Sequence, residues 1–265
     1  MVAVLLSACG HRAVSGTGAD ALVFSSDSST YSDSTVEVNI AFDYPQSGPQ
    51  PLADSLSTYV CQQLGINSPS DDATFAKRKE LEEEWQELAA ADLHMQLYYT
   101  RNLTLLHDTT HYVTLQNSIE EFHGGAHGSY TYYGQTFRKS DGQRIGYVSI
   151  YDQDNGTFHI EHQTLFNDKV ETPEFKALLK EGVGSYFKEM SNGDDDWTLE
   201  DMLIGVDDVN ALPLPQYPPT FTKDGLSFVY QQYEIAPYAA GLPSFTIPYD
   251  KAKPFLTDDA RALIP

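Results

Sequence analysis

The sequence predicts an α+β fold with mostly antiparallel sheets and packed helices. Three observations carry this. Helical periodicity occurs in three separate stretches, two-residue alternation fills the runs between them, and the elements come in segregated runs: one strand, two helices, several strands, then strand, helix and strands again. The expected architecture is two interleaved halves, residues 33–140 and 141–262, each packing helices on an antiparallel sheet.

"TVEVNIAFDY" places Val36, Val38, Ile40, Phe42 and Tyr44 on one face, with Glu37, Asn39 and Asp43 opposite, as in a half-buried strand. "YPQSGPQP" breaks it. Leu52, Leu56, Val60 and Leu64 then recur every four residues, and Gly65 follows as a helix stop. A second helix is expected to start near Ser70, whose hydroxyl would cap it, with Asp71 and Asp72 at the positive end of the dipole. Leu81, Trp85 and Leu88 form its apolar stripe, and "KRKELEEEW" reads as its solvated face. "HMQLYYTRNLTLLH" and "HYVTLQNSIEEF" flank "DTT", an expected antiparallel pair. "SYTYYGQTF" is a further strand and "SDG" a turn. Residues 144–166 read mostly as strand. A third helix runs from Glu174 to Met190 with Phe175, Leu178, Leu179, Val183 and Phe187 as its apolar face, and the acidic "NGDDDW" ends it. "LPLPQYPPTF" is an extended connection. Residues 225–249 read as two strands around a loop, with Phe228 and Tyr230 on one face.

With 41% hydrophobic and 12% aromatic residues, the chain can bury a sizeable core. A net charge of −22 excludes nucleic acid as an expected partner, because phosphate binding needs clustered Lys and Arg. The same charge would accelerate encounter with a cationic protein; its plainer reading is solubility. Cys61 lies within a helical pattern and reads as a buried free thiol. Cys9 ends "LSAC", which resembles the bacterial lipobox, where the cysteine is lipidated and becomes the mature N-terminus. "MVAVLL" before it is shorter than a complete signal peptide, so residues 1–9 are expected to be the remainder of a signal truncated upstream. Residues 10–32 are small, polar and aperiodic, and are expected to be a flexible tether. The expected location is therefore the bacterial cell envelope, periplasmic or surface-exposed, anchored to membrane lipid through Cys9. No stretch of about 20 apolar residues occurs, so no segment is expected to span a membrane.

"FHGGAHG", residues 122–128, places His123 and His127 four apart, like the zinc-binding H-E-x-x-H, in which both rings leave one helix face. Gly124 and Gly125 between them would cost a helix about 2 kcal/mol, and no third ligand is identifiable. No metal, cofactor or catalytic residue is expected. "FHIEH" would place His159 and Glu161 on one strand face with His162 opposite, and Asp194, Asp195 and Asp196 lack the spacing of a calcium loop. No G-x-S-x-G or P-loop occurs.

"GGAHG" at residues 124–128, together with "YEIAPYAAG" at 233–241 and "IPY" at 247–249, resembles the RsiV-like extracytoplasmic domain family over residues 33–260. Its module occurs in a lysozyme-sensing anti-sigma factor and as the non-catalytic region of a peptidoglycan deacetylase. The sigma-binding segment, membrane-spanning helix and deacetylase domain of those proteins have no counterpart in this sequence. The resemblance therefore implies only a non-catalytic binding module near the cell wall, for a lysozyme-like cationic protein or a cell-wall component. It implies that Gly124, Gly125 and Gly128 supply positive φ or close backbone approach. Pro237 and Gly241 would set a second bend with Tyr233 and Tyr238, and Glu234 would be a buried, hydrogen-bonded carboxylate. His127, Tyr130, Tyr132 and Tyr133 are the expected ligand-binding residues. The alternative is a metal-dependent peptidoglycan or chitooligosaccharide hydrolase or deacetylase using His123 and His127.

Overall fold

The computed structural model describes residues 10–13, 21–152, 157–191 and 198–264. Cys9 and Asp194–Asp196 therefore lie outside the described residues. The chain divides into two compact units, Met1–Thr131 with Phe137–Gln143, and Tyr132–Thr136 with Arg144–Pro265. The fold is α+β, with mostly antiparallel strand pairs.

The large sheet follows chain order: β1 (Gly10–Ala13), β2 (Val23–Ser32), β3 (Val36–Ser47), β4 (Leu97–Asp108), β5 (Tyr112–Phe122), β6 (Ser129–Arg138) and β7 (Arg144–Ile145). β3 and β4 are parallel, because the chain between them forms two helices, α1 (Gln50–Leu64) and α2 (Thr74–Ala90). Val36, Val38, Ile40 and Phe42 of β3 share one core with Leu52, Leu56, Val60 and Leu64 of α1 and Leu81 of α2. Gly65 closes α1 in the left-handed conformation, φ 66°, donating its N–H to the Cys61 carbonyl. Cys61 is a partly buried free thiol.

Three expectations are corrected in this unit. Residues 23–32 are not a tether but strand β2, paired along its length with β3, and residues 10–13 pair with β2 in turn. Backbone pairing to an apolar neighbour makes a strand of a segment whose own side chains are mostly polar. Ser70 does not cap α2: the helix starts after Ala73, the Asp71 carboxylate accepts from the Asn67 and Ser68 N–H groups, and Asp72 accepts from Thr74. Asp43, expected on the solvent face, is 7% exposed, where it accepts from the Ser26 hydroxyl (2.5 Å) and the Leu105 N–H (2.7 Å).

In the second unit, β8 (Val148–Asp152) and β9 (Thr157–Glu161) form a two-stranded hairpin. A three-stranded antiparallel sheet has the order β10 (Thr220–Phe221), β11 (Gly225–Val229), β12 (Ser244–Pro248). Helix α3 (Pro173–Met190) buries Phe175, Leu179, Val183 and Phe187. Phe175 meets Phe228 of β11 and Phe255 at centroid distances of 6.4 and 5.0 Å. Short helices α4 (Leu199–Met202), α5 (Tyr249–Ala252) and α6 (Asp258–Arg261) complete it. Among the described residues of 144–166 there is less strand than expected, only β7, β8 and β9. Among the described residues, no helix is long and apolar enough to cross a membrane.

Candidate functional site

The turn between β5 and β6 belongs to the first unit. Gly124 and Gly125 have φ of 91° and 96°, a left-handed pair that residues with a Cβ adopt only under strain. Gly128 is required for a different reason: a Cβ there would lie 2.8 Å from the Tyr98 hydroxyl and 2.9 Å from the Glu121 carbonyl. His123 sits between two carboxylates, Nδ1 2.6 Å from Glu84 of α2 and Nε2 3.2 Å from Glu121 of β5. Burial alone would lower its pKa, but hydrogen bonds to both carboxylates outweigh that, so it is raised. His123 is thus an ion-paired clamp on the turn. His127 is exposed, and its Nδ1 lies 3.0 Å from the neighbouring Gly128 carbonyl. Among the described residues, no group of three or more His, Cys, Asp or Glu is arranged to hold a metal ion. His159 and Glu161 of β9 pair with each other at 3.2 Å, and His162 has φ 48°.

Of the three expected ligand tyrosines, Tyr130 is exposed at 37%. Tyr132 and Tyr133 are half-buried and belong to the second unit. The Gln231 side-chain amide bonds the Tyr132 main chain twice, accepting its N–H and donating to its carbonyl, each at 3.0 Å. The Tyr133 ring stacks on Tyr217, 3.9 Å between centroids at 5°. A cavity of about 140 Å³ opens beside this stack, lined by Tyr133, Gln135, Arg144, Tyr147, Gln216 and Tyr217. Arg144 donates to the Gln135 side-chain oxygen at 2.7 Å, so the polar wall is already ordered.

The wall of this cavity is built from a segment that cannot join a sheet. Residues 212–219, "LPLPQYPP", hold four prolines without N–H groups. Their carbonyls are taken by buried phenols instead: Tyr147 donates to Pro215 and Tyr230 to Pro213, both at 2.7 Å. Burial pushes both phenols well above the usual tyrosine range, reinforced by the nearby Glu234 carboxylate. Glu234 completes the clasp. Its two oxygens accept the Gln216 N–H at 2.6 Å and the Gln231 N–H at 2.7 Å. Burial pushes its pKa up to about 7, against the opposing pull of those two bonds. Tyr233, with φ 63°, is 54% exposed, its ring 6.0 Å from Tyr238. Pro237 precedes a single 3-10 turn, Tyr238–Ala240, which Gly241 ends at φ 68°. Sequence reasoning found Glu234 but missed Tyr147, Tyr217, Gln231 and Arg144. The prolines of 212–219 were the available signal, since their carbonyls needed donors from elsewhere.

Residues 163–250, which carry α3, the proline segment and the Glu234 loop, match the family described as "Protein of unknown function (DUF3298)". A DUF3298 family crystal structure from Bacteroides fragilis is similar at 19% identity and a TM-score of 0.67, over 92% of this chain and 96% of that one. A second, from Pseudomonas aeruginosa PAO1, is similar at 15% identity and a TM-score of 0.55, over 100% and 98%. At these identities the likeness is one of fold. No curated protein matches the chain.

Proposed function

We propose that the protein is a non-catalytic binding module of the bacterial cell envelope, anchored through lipid on Cys9, that captures a cationic protein such as lysozyme. The observation that carries this reading is the charge: 38 acidic residues against 16 basic ones, a net of −22. The resemblance of "GGAHG" and "YEIAPYAAG" to the RsiV-like module supports the same ligand class. Charge by itself gives salt-sensitive encounter, because surface charges are screened within about 8 Å at physiological ionic strength. Retention in salt requires desolvated aromatic anchors. Tyr130 and Tyr233 are exposed tyrosines that can supply them, in the first and second unit respectively. Tyr132, with its main chain bonded to Gln231, is the poorer choice.

The test is titration with lysozyme at low and near-physiological salt, repeated with Tyr130→Ala and Tyr233→Ala. Binding that survives salt and weakens at least fivefold on either substitution supports the reading. Loss of all binding in salt reduces the attraction to nonspecific charge. Fatty-acid labelling that persists in Cys9→Ala would remove the lipid anchor from the proposal.

A second reading, a cell-wall glycan, is favoured by the cavity at Tyr133 and Tyr217. Stacked aromatic faces beside ordered amide and guanidinium groups suit a sugar ring, apolar on its faces and polar at its rim. Chitooligosaccharide titration distinguishes it: saturable binding lost in Tyr217→Ala, with lysozyme binding unchanged, would favour the glycan. Stoichiometric zinc in the purified protein, lost in the His123→Ala/His127→Ala variant, would instead revive the hydrolase alternative.

A further inference from the structure

The second unit leaves one sheet edge open beside a groove. Among the described residues β12 pairs with β11 alone, at the end of the three-stranded sheet. Which backbone groups face outward follows from the ladder. The Tyr230 N–H donates to the Pro243 carbonyl at 2.9 Å, so that opposed pair is a hydrogen-bonded one. Opposed pairs alternate, which makes Phe228–Phe245 and Leu226–Ile247 hydrogen-bonded pairs as well. The other side of β11 agrees, because the Gly225 carbonyl accepts from Thr222, away from β12. Ser244 and Thr246 therefore direct both their N–H and C=O groups to the free edge, and Pro248 its carbonyl.

That edge opens into a groove of about 440 Å³, whose opposite wall is the flank of α3. Phe245 packs on Gly182, where any Cβ would fall 2.1 Å from the ring, so strand and helix approach closely at one point. The rest of the groove stays open along Ser185, Tyr186 and Glu189. Its charge is acidic. Glu181 is paired with Lys251 at 3.2 Å, whereas Glu189, two turns further along, is exposed with no cation facing it among the ion pairs of the described residues.

We propose that this groove binds an extended, lysine- or arginine-bearing polypeptide segment, which adds to β12 as a further strand. Main-chain bonds to Ser244 and Thr246 supply affinity that is indifferent to sequence, and the acidic helix wall selects basic side chains. The occupant is a polypeptide because the free donors and acceptors alternate at strand spacing. It is basic because Glu189 and the net charge of −22 oppose an acidic one. This inference goes beyond lysozyme capture and does not depend on it.

The probe is a fluorescein-labelled octapeptide of alternating lysine and valine, read by anisotropy against the full protein. Saturable binding is expected, weakened at least fivefold by Thr246→Pro. That change removes an outward N–H while leaving the bonds to β11. Glu189→Gln should weaken binding two- to threefold. A peptide N-methylated at alternate amides should lose binding to the unaltered protein, an arm that reads strand pairing even where Thr246→Pro misfolds. Equal binding of the N-methylated peptide, or of a glutamate–valine counterpart, would overturn the proposal, as would absence of binding. Sedimentation showing a dimer that Thr246→Pro dissolves would assign the edge to a second copy of this chain and overturn it too.

Discussion

Glu234→Gln should alter how stability depends on pH, and the size of the change follows from the clasp. The carboxyl titrates near 7 in the folded chain, against about 4.3 for an unperturbed glutamate. Its folded pKa is raised, so between these values the folded state holds a proton that the unfolded state has released. Stability from this group is therefore full below about pH 4 and lost as pH rises towards 7. A shift of two to three units corresponds to about 3 kcal/mol at about 1.4 kcal/mol per unit. Glutamine has no such titration. It also offers one acceptor where Glu234 offers two, so either the Gln216 or the Gln231 N–H loses its partner, at about 1–3 kcal/mol. Urea unfolding of both proteins at pH 5 and pH 8 isolates the group as a difference of differences. The wild-type advantage should be larger at pH 5 by at least about 2 kcal/mol. Parallel pH dependences would refute the buried-acid account, and a larger advantage at pH 8 would show that the two N–H bonds, not burial, dominate this carboxylate.

Tyr147→Phe and Tyr230→Phe should each cost about 1–3 kcal/mol in urea unfolding, because each leaves a proline carbonyl without its phenol. The double variant should depart from additivity, since both hold one segment. Gly125→Ala should cost about 1–2 kcal/mol from backbone strain, as a Cβ there meets nothing within 4 Å; a neutral result would refute the left-handed turn. His123→Gln should lose stability that the wild type has below about pH 6.5 and gives up as pH rises through the raised folded pKa. The ring is 32% exposed, so the loss is about 1 kcal/mol or less, and it should shrink in high salt.

The parts of the fold legible in the sequence are those where one element's own residues face the core. Leu52, Leu56, Val60 and Leu64 announce α1 because a four-residue repeat is what a helix needs to bury one stripe. Strand β2 was illegible for the converse reason. In "VFSSDSSTYS", Phe24 is deeply buried while the remaining positions are mostly half-exposed serines, aspartate and threonine. It is a strand because β3 beside it presents a ladder and its serines reach across: Ser26 donates to Asp43, and Ser25 accepts from Gln46. Composition reported the side chains correctly as polar, but backbone pairing decided the conformation. The start of α2 was misplaced by the same competition, since Asp71 serves the N–H groups of the turn before the helix and it is Asp72 that accepts from Thr74, the first helical residue.

The tyrosines show why the candidate site was only half legible. Their number, 17, suggests a contact surface. In the second unit at least four of them have structural work for their hydroxyls: Tyr147 donates to Pro215, Tyr230 to Pro213, Tyr186 to Ala240 and Tyr249 to Thr222, all main-chain carbonyls. Loops and proline-rich segments have carbonyls in excess of strand partners, and a phenol carries a donor to them on an apolar ring that the core accepts. Glu234 is the complementary device, an acceptor for two N–H groups that likewise lack a ladder. Its local setting, between Tyr233 and Ile235, was readable because burial follows from immediate neighbours. Its donor Gln216 lies 18 residues away, and no local pattern encodes such a meeting. A tyrosine in this chain is therefore a ligand candidate only after its hydroxyl has been accounted for. Buried Tyr147 and Tyr230 are excluded on that ground, and exposure puts Tyr130 and Tyr233 ahead of them.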